Sequence, residues 1–286
     1  MRVYFRFLRQ ALAERIFSPR MYAVAFLHGF LLHFYMRAVV RFSKDMECAA
    51  TPWAFPFLLS NIFFLLLFMA GVVYCFSDVP FMQHKNMYQV IRTGRSKWAL
   101  GQISVIAAQA FFIMVFNAVF SIILLLGYFE YSPGWGKLYH TLALTGGSKK
   151  YRFLFDFSYE TMQIYSPLEL LVLSIMLGTL VIAFVGIFMF AVSLYVNRSL
   201  AVTLAFFLVM MIYLVENIHP LLKRWAAMFA PVNWMRVTQI GIKFHGSFIQ
   251  PPVWYMVTVL AAGISICAGM VCVKVKKIEF QWYQEE

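Results

Sequence analysis

Side chains able to do chemistry are sparse in this chain and fall into three groups. The first is imidazole: His28 and His33 lie within one apolar run, Met21 to Met36. Five residues apart, they do not share a helix face as an i, i+4 pair would. Each therefore either packs and hydrogen-bonds between helices or lines a polar path. The second group sets an acid beside bases. Glu216 closes an apolar run within one or two helical turns of His219, Lys223 and Arg224, a pattern that makes either an interfacial ion pair or an outer gate. The third is a concentration of cations, Lys85, Arg92, Arg95 and Lys97 against Asp78 alone, in the stretch from Ser77 to Trp98.

Much familiar chemistry has no residues to run it. The chain has no GxxxxGK[ST] phosphate loop, no HExxH, no GxSxG and no pair of acids inside its apolar runs, so it carries no motif for hydrolysing ATP or for a hydrolase reaction. Four scattered cysteines give neither a disulfide framework nor a metal pattern. The expectation is a chain with no catalytic residues, no metal and no cofactor of its own. Composition sets the class: 62% of residues are hydrophobic and 13% charged, and mean hydropathy is +0.75, whereas soluble chains carry about 25% charged residues. The +12 formal charge suits contact with anionic lipid headgroups. No basic stripe with interleaved stacking aromatics points to nucleic acid.

The elements that must position these groups form one all-α polytopic membrane domain over 1–286. Residues 1–18 read as an amphipathic interfacial helix, with Tyr4, Phe5, Leu8, Leu12 and Ile16 on one face and Arg2, Arg6 and Arg9 on another. Ser18-Pro19 ends it. Six transmembrane helices follow at 21–36, 52–76, 99–127, 168–195, 199–216 and 253–273, each uncharged over most of its length. Between them lie a basic loop (77–98), an aromatic outer loop (128–167) and a segment broken by Pro220, Pro231 and Pro251-Pro252 (217–252), read as short re-entrant outer helices. Within the aromatic loop, RFLFDFSYE from Arg152 to Glu160 alternates as a short half-buried strand would. The basic loop marks the cytoplasmic side and places both termini there.

In its order of elements the chain resembles the permease subunits of ABC-2 type transporters. An interfacial first helix, six spans, a helical basic loop between spans two and three, and a broken outer segment before span six make up the likeness. It is strongest locally at RTGRSKWALGQ, Arg92 to Gln102, and again at Pro231-Val232-Asn233-Trp234. The family often has lysine where this chain has Gln102, and the loop 128–167 is longer than its compact pattern. The resemblance implies an exporter in a bacterial plasma membrane, built from two permease subunits, identical or different. A separate ATP-binding cassette subunit would bind the ATP and Mg. It makes Phe81 to Ile91 the coupling element, with Met82, Tyr88 and Val90 as apolar anchors and His84, Lys85 and Gln89 at the rim.

The same likeness directs the search for a substrate path to spans two and five, where Asn61, Phe64, Phe68, Met210 and Tyr213 are the lining candidates. Phe and Met surfaces repack around amphipathic or hydrophobic cargo, such as a peptide, an antibiotic or a lipid, but such a stripe also serves plain helix packing. Two other classes stay open. One is a sensor or immunity partner that uses the aromatic outer loop without transport. The other is a multi-pass membrane enzyme using His28 or His140 with an acid such as Glu160 or Glu169.

Overall fold

The computed structural model describes residues 2–81, 87–145, 151–244 and 247–277. Helix α1 (Arg2–Ile16) buries Phe7 and Ala11 and turns Arg6, Arg9 and Glu14 outward, as its pattern dictates. Helix α2 (Pro19–Asp45) starts where Ser18 accepts the Met21 N–H at 3.2 Å, with proline pre-set for the first turn. The first span was expected to stop at Met36, yet α2 continues through Asp45. Val39, Phe42 and Ser43 extend the buried stripe of Leu31, Leu32, Tyr35 and Met36, while Arg37 and Arg41 stay on the exposed face. Packing therefore carries the helix past its charges to a length of about 40 Å.

The second expected span is two helices, α3 (Phe55–Ser60) and α4 (Ile62–Cys75), broken at Asn61, whose ψ of 127° is extended. Alone, α4 rises about 21 Å, short of the roughly 30 Å hydrocarbon core. A short helix α5 (Met87–Thr93) ends at Gly94, whose φ of +82° is a conformation glycine adopts without steric cost. Helix α6 (Arg95–Ile123) follows directly.

The aromatic loop contains α7 (Gly136–Leu144) and α8 (Tyr159–Ile164). Its alternation is real: Phe155 and Phe157 are buried while Leu154 and Asp156 are exposed. No strand forms there among the described residues. The inward rings pack instead, Phe157 stacking 4.6 Å from Tyr139 and lying 4.9 Å from Phe57. Helix α9 (Pro167–Tyr195) begins at a capping box, Ser166 and Glu169 each bonding the other's backbone N–H. Helix α10 (Arg198–Asn217) is capped by Asn197, and α11 (Pro220–Met228) is short. Tight 3-10 turns at Pro231–Met235 and Val237–Gln239 follow, then strands β1 (Lys243–Phe244) and β2 (Ser247–Phe248), paired antiparallel, and helix α12 (Val253–Lys277).

Among the described residues five helices, α2, α6, α9, α10 and α12, are long and apolar enough to cross a bilayer, so the multi-pass membrane class read from the sequence holds. The most buried of the five is α9. It is apolar all round, as a helix surrounded by protein should be, and packs against α6, α10 and α12. Glycines make the α6 contact possible: a β-carbon at Gly178 would run into Met114, and one at Gly186 into Ile106 and Phe76.

Candidate functional site

Two polar assemblies stand at opposite ends of the helix bundle. One gathers where α1, the 77–81 turn and the starts of α6 and α10 meet. Arg15, in the last turn of α1, donates from Nη2 to Gln102 Oε1 at 2.7 Å, and its guanidinium carbon lies 3.5 Å above the Phe81 ring. A guanidinium over an aromatic face is held by the ring quadrupole. Loss of hydration lowers the pKa of Arg15, and the Asp78 carboxylate acts in the opposite direction. Arg20 Nη1 lies 3.4 Å from Asp78 Oδ1, and Arg198 Nε donates to the Ser77 carbonyl at 2.6 Å. The turn after α4 is thus tied to α1, α2 and α10 by three arginines. Gln102 is the uncharged acceptor for the Arg15 guanidinium. A lysine there would put two cations within hydrogen-bond range.

The expected coupling residues divide across this junction. Phe81 is buried, 5.2 Å from the Phe190 ring, and Val90 is buried too. Both side chains are therefore used inside the chain. Ile91 is exposed, as are Arg92 and Lys97, so the outward surface at α5 carries an isoleucine among cations. Tyr88 and Gln89 belong to α5. Met82, His84 and Lys85 lie outside the described residues.

The second assembly centres on Arg236, only 5% exposed. Its Nη1 lies 2.8 Å from Glu216 Oε2 and 3.4 Å from Asn233 Oδ1, and its Nε donates to the Ser60 carbonyl at 3.0 Å. Lys223 Nζ approaches the other Glu216 oxygen at 3.2 Å. Around this pair, Gln250 Nε2 donates to the Asn233 carbonyl at 3.1 Å, Thr161 Oγ1 to the Thr238 carbonyl at 2.8 Å, and the Ser60 and Thr238 hydroxyls share a hydrogen bond. The Pro231-Val232-Asn233-Trp234 motif is the floor: Asn233 and Trp234 are buried, and Trp234 Nε1 donates to the Ala227 carbonyl at 2.7 Å. Buried Asn233 Nδ2 and Gln250 Oε1 have no hydrogen-bond partner among the described residues. The cluster therefore keeps one donor and one acceptor buried beside a neutralised arginine.

Sequence reasoning found half of this cluster. Glu216 and Lys223 pair as expected. Arg224, named with them, is exposed and makes no ion pair with Glu216; helix α11 turns it away, and Arg236 takes its place from beyond the 3-10 turn. The signal for Arg236 was its position two residues after the motif.

The five lining candidates do not share a surface. Asn61 is a helix cap: its Oδ1 accepts from the Phe64 N–H at 2.9 Å and from the Tyr35 hydroxyl at 3.2 Å, while Nδ2 donates to the Leu154 carbonyl at 2.6 Å. Phe64 and Phe68 are wholly buried, Phe64 against Tyr35 and Phe68 stacked 4.3 Å from His28. Met210 and Tyr213 are exposed on α10. Between the two alternatives for the histidines, His28 takes the interhelical one. It is buried, with Nε2 3.0 Å from the Phe68 carbonyl and Nδ1 3.1 Å from Asn117 Nδ2, so the neutral ring that donates from Nε2 and accepts at Nδ1 satisfies both contacts. His33 is exposed. Of the acids weighed for an enzyme, Glu160 is exposed and Glu169 is engaged in the cap of α9. No protein-family model, no curated protein and no solved structure matches the chain.

Proposed function

We propose that this chain is the permease subunit of an ABC exporter, moving an amphipathic or hydrophobic substrate with energy from a separate ATP-binding subunit. One observation carries the reading. The connector between α4 and α6 is clamped to the rest of the chain at Ser77, Asp78 and Phe81 by Arg198, Arg20 and Arg15. Farther along, the connector nevertheless leaves Ile91 and Arg92 of α5 exposed, and Lys97 is exposed in the first turn of α6. A connector fixed at its start and exposed where it runs into α6 suits a docking element: force applied there moves the helices, not just the loop. A small docking surface depends on a few anchor side chains, and in this reading Tyr88 and Ile91 serve as those anchors.

The test is to co-express the chain with ATP-binding cassette subunits from the same genome and purify the complex with and without nucleotide. A complex that responds to nucleotide and is lost in a Tyr88→Ala, Ile91→Asp double variant supports the proposal, provided the variant chain still purifies as a folded species. A complex that survives the double variant removes α5 as the docking element. A chain that purifies alone against all such subunits overturns the permease reading.

A further inference from the structure

A groove of about 410 Å³ runs between α1 and α6, lined by Phe5, Leu8, Arg9, Leu12, Ser104, Val105 and Ala108. Its size falls within the roughly 300–1,000 Å³ of small-ligand sites. We propose that it holds one acyl chain of an anionic glycerophospholipid, whose phosphate is bound by Arg9.

The floor is aliphatic: Leu8 and Leu12 from α1 face Val105 and Ala108 from α6. The single hydroxyl there, on Ser104, already donates to the Leu100 carbonyl at 3.0 Å. Nothing in the floor calls for a polar ligand. Arg9 is the exception. It is exposed at the edge and makes no ion pair among the described residues, while the nearby acid Glu14 is engaged by Gln10 at 3.0 Å. An unpaired guanidinium beside an apolar trough matches a ligand with an anionic head and a hydrocarbon tail, because Arg–phosphate contacts are charge-assisted and geometrically matched. The axis of α6 sets the polarity. Its cationic first turn, Arg95 to Lys97, lies about 10 Å along the helix from Ser104, so cations gather at the head end and aliphatic side chains farther along. The groove is also a fixed shape. Phe7 seats α1 where Gly101 lacks a side chain, since a β-carbon at Gly101 would collide with the Phe7 ring, and Arg15 ties the far end of α1 to Gln102.

The experiment is native mass spectrometry of the full chain released from nanodiscs of phosphatidylcholine and phosphatidylglycerol in equal amounts, independent of any ATP-binding subunit. Retention of phosphatidylglycerol over phosphatidylcholine is expected. Arg9→Gln should cut that preference about tenfold, the loss of one charge-assisted contact, while Arg92→Gln leaves it unchanged. Ala108→Trp, which fills the groove, should abolish retention of either lipid. If Ala108→Trp disturbs α1, the Arg9→Gln to Arg92→Gln comparison still decides. Equal retention of both lipids, an equal effect of Arg92→Gln, or a second copy of the chain cross-linked at Leu8 would overturn the proposal.

Discussion

Replacing Arg236 with methionine isolates the ion pair that organises the polar cluster. The change keeps the length of the aliphatic stem and removes the charge and every donor. Three contacts are lost: Glu216 at 2.8 Å, the Ser60 carbonyl at 3.0 Å and Asn233 at 3.4 Å. A hydrogen bond to a charged group contributes about 1.5–3 kcal/mol, and a buried carbonyl left without its donor costs about 1–3 kcal/mol. The sum has to be reduced, because the Glu216 side chain is 31% exposed and keeps Lys223. The expected cost of Arg236→Met is therefore about 2–4 kcal/mol. Arg224→Met, at an exposed position without that ion pair, should stay within about 0.5 kcal/mol. Unfolding in mixed micelles, followed by circular dichroism, measures both. A double-mutant cycle of Arg236→Met with Glu216→Gln should return a coupling above about 1 kcal/mol, and the same cycle with Arg224→Met close to zero. Equal costs at 224 and 236, or no coupling between 216 and 236, would refute the assignment.

Asn61→Ala should cost about 1–2 kcal/mol through the lost cap and the orphaned Leu154 carbonyl. Asn61→Asp should recover most of the cap and none of the Leu154 contact, and a smaller loss for alanine than for aspartate would contradict the geometry. Tyr139, buried and donating to the Thr51 carbonyl, has its pKa raised by desolvation. Its folded value lies above the unfolded value of about 10. The stability it contributes is thus complete below about pH 10 and is lost as pH rises toward the folded value. Unfolding measured from pH 8 to 11 should fall more steeply in the parent than in Tyr139→Phe, and parallel curves would show that the phenol is not held neutral.

What was legible depended on whether it was periodic. The apolar runs fixed the long helices because burial in α9 or α6 follows composition over many residues, and the Ser18-Pro19 stop is local chemistry. The overrun of α2 to Asp45 was present as periodicity, with Tyr35, Val39 and Phe42 on one face, but charge at Arg37 and Arg41 masked it. The break at Asn61 had a local signal, an asparagine three residues before Phe64, that the surrounding hydrophobicity outweighed. The partnerships of Arg15 with Gln102 and of Arg236 with Glu216 had no such signal. They join residues 87 and 20 apart, and their geometry exists only once α1 lies on α6 and the 3-10 turn folds back over α10.

These partnerships give α4 a particular position in the molecule. At its start, Asn61 caps the helix and the adjoining Ser60 carbonyl is held by Arg236. Beyond its end, the turn is held by Arg198, Arg20 and Arg15. Between these points Phe64, Phe68 and Val72 are wholly buried, so the helix cannot slide without disturbing α2 and its His28 contact. The two assemblies are therefore joined by about 21 Å of packed helix. Sites this far apart normally contribute additively within about 0.3–0.5 kcal/mol. If α4 moves as a unit with two clasped ends, Arg15→Met and Arg236→Met should instead combine with an interaction energy beyond that range, because releasing either end lets the helix shift at the other. Additive costs in the same micelle unfolding assay would show that the two assemblies are independent and that α4 does not connect them.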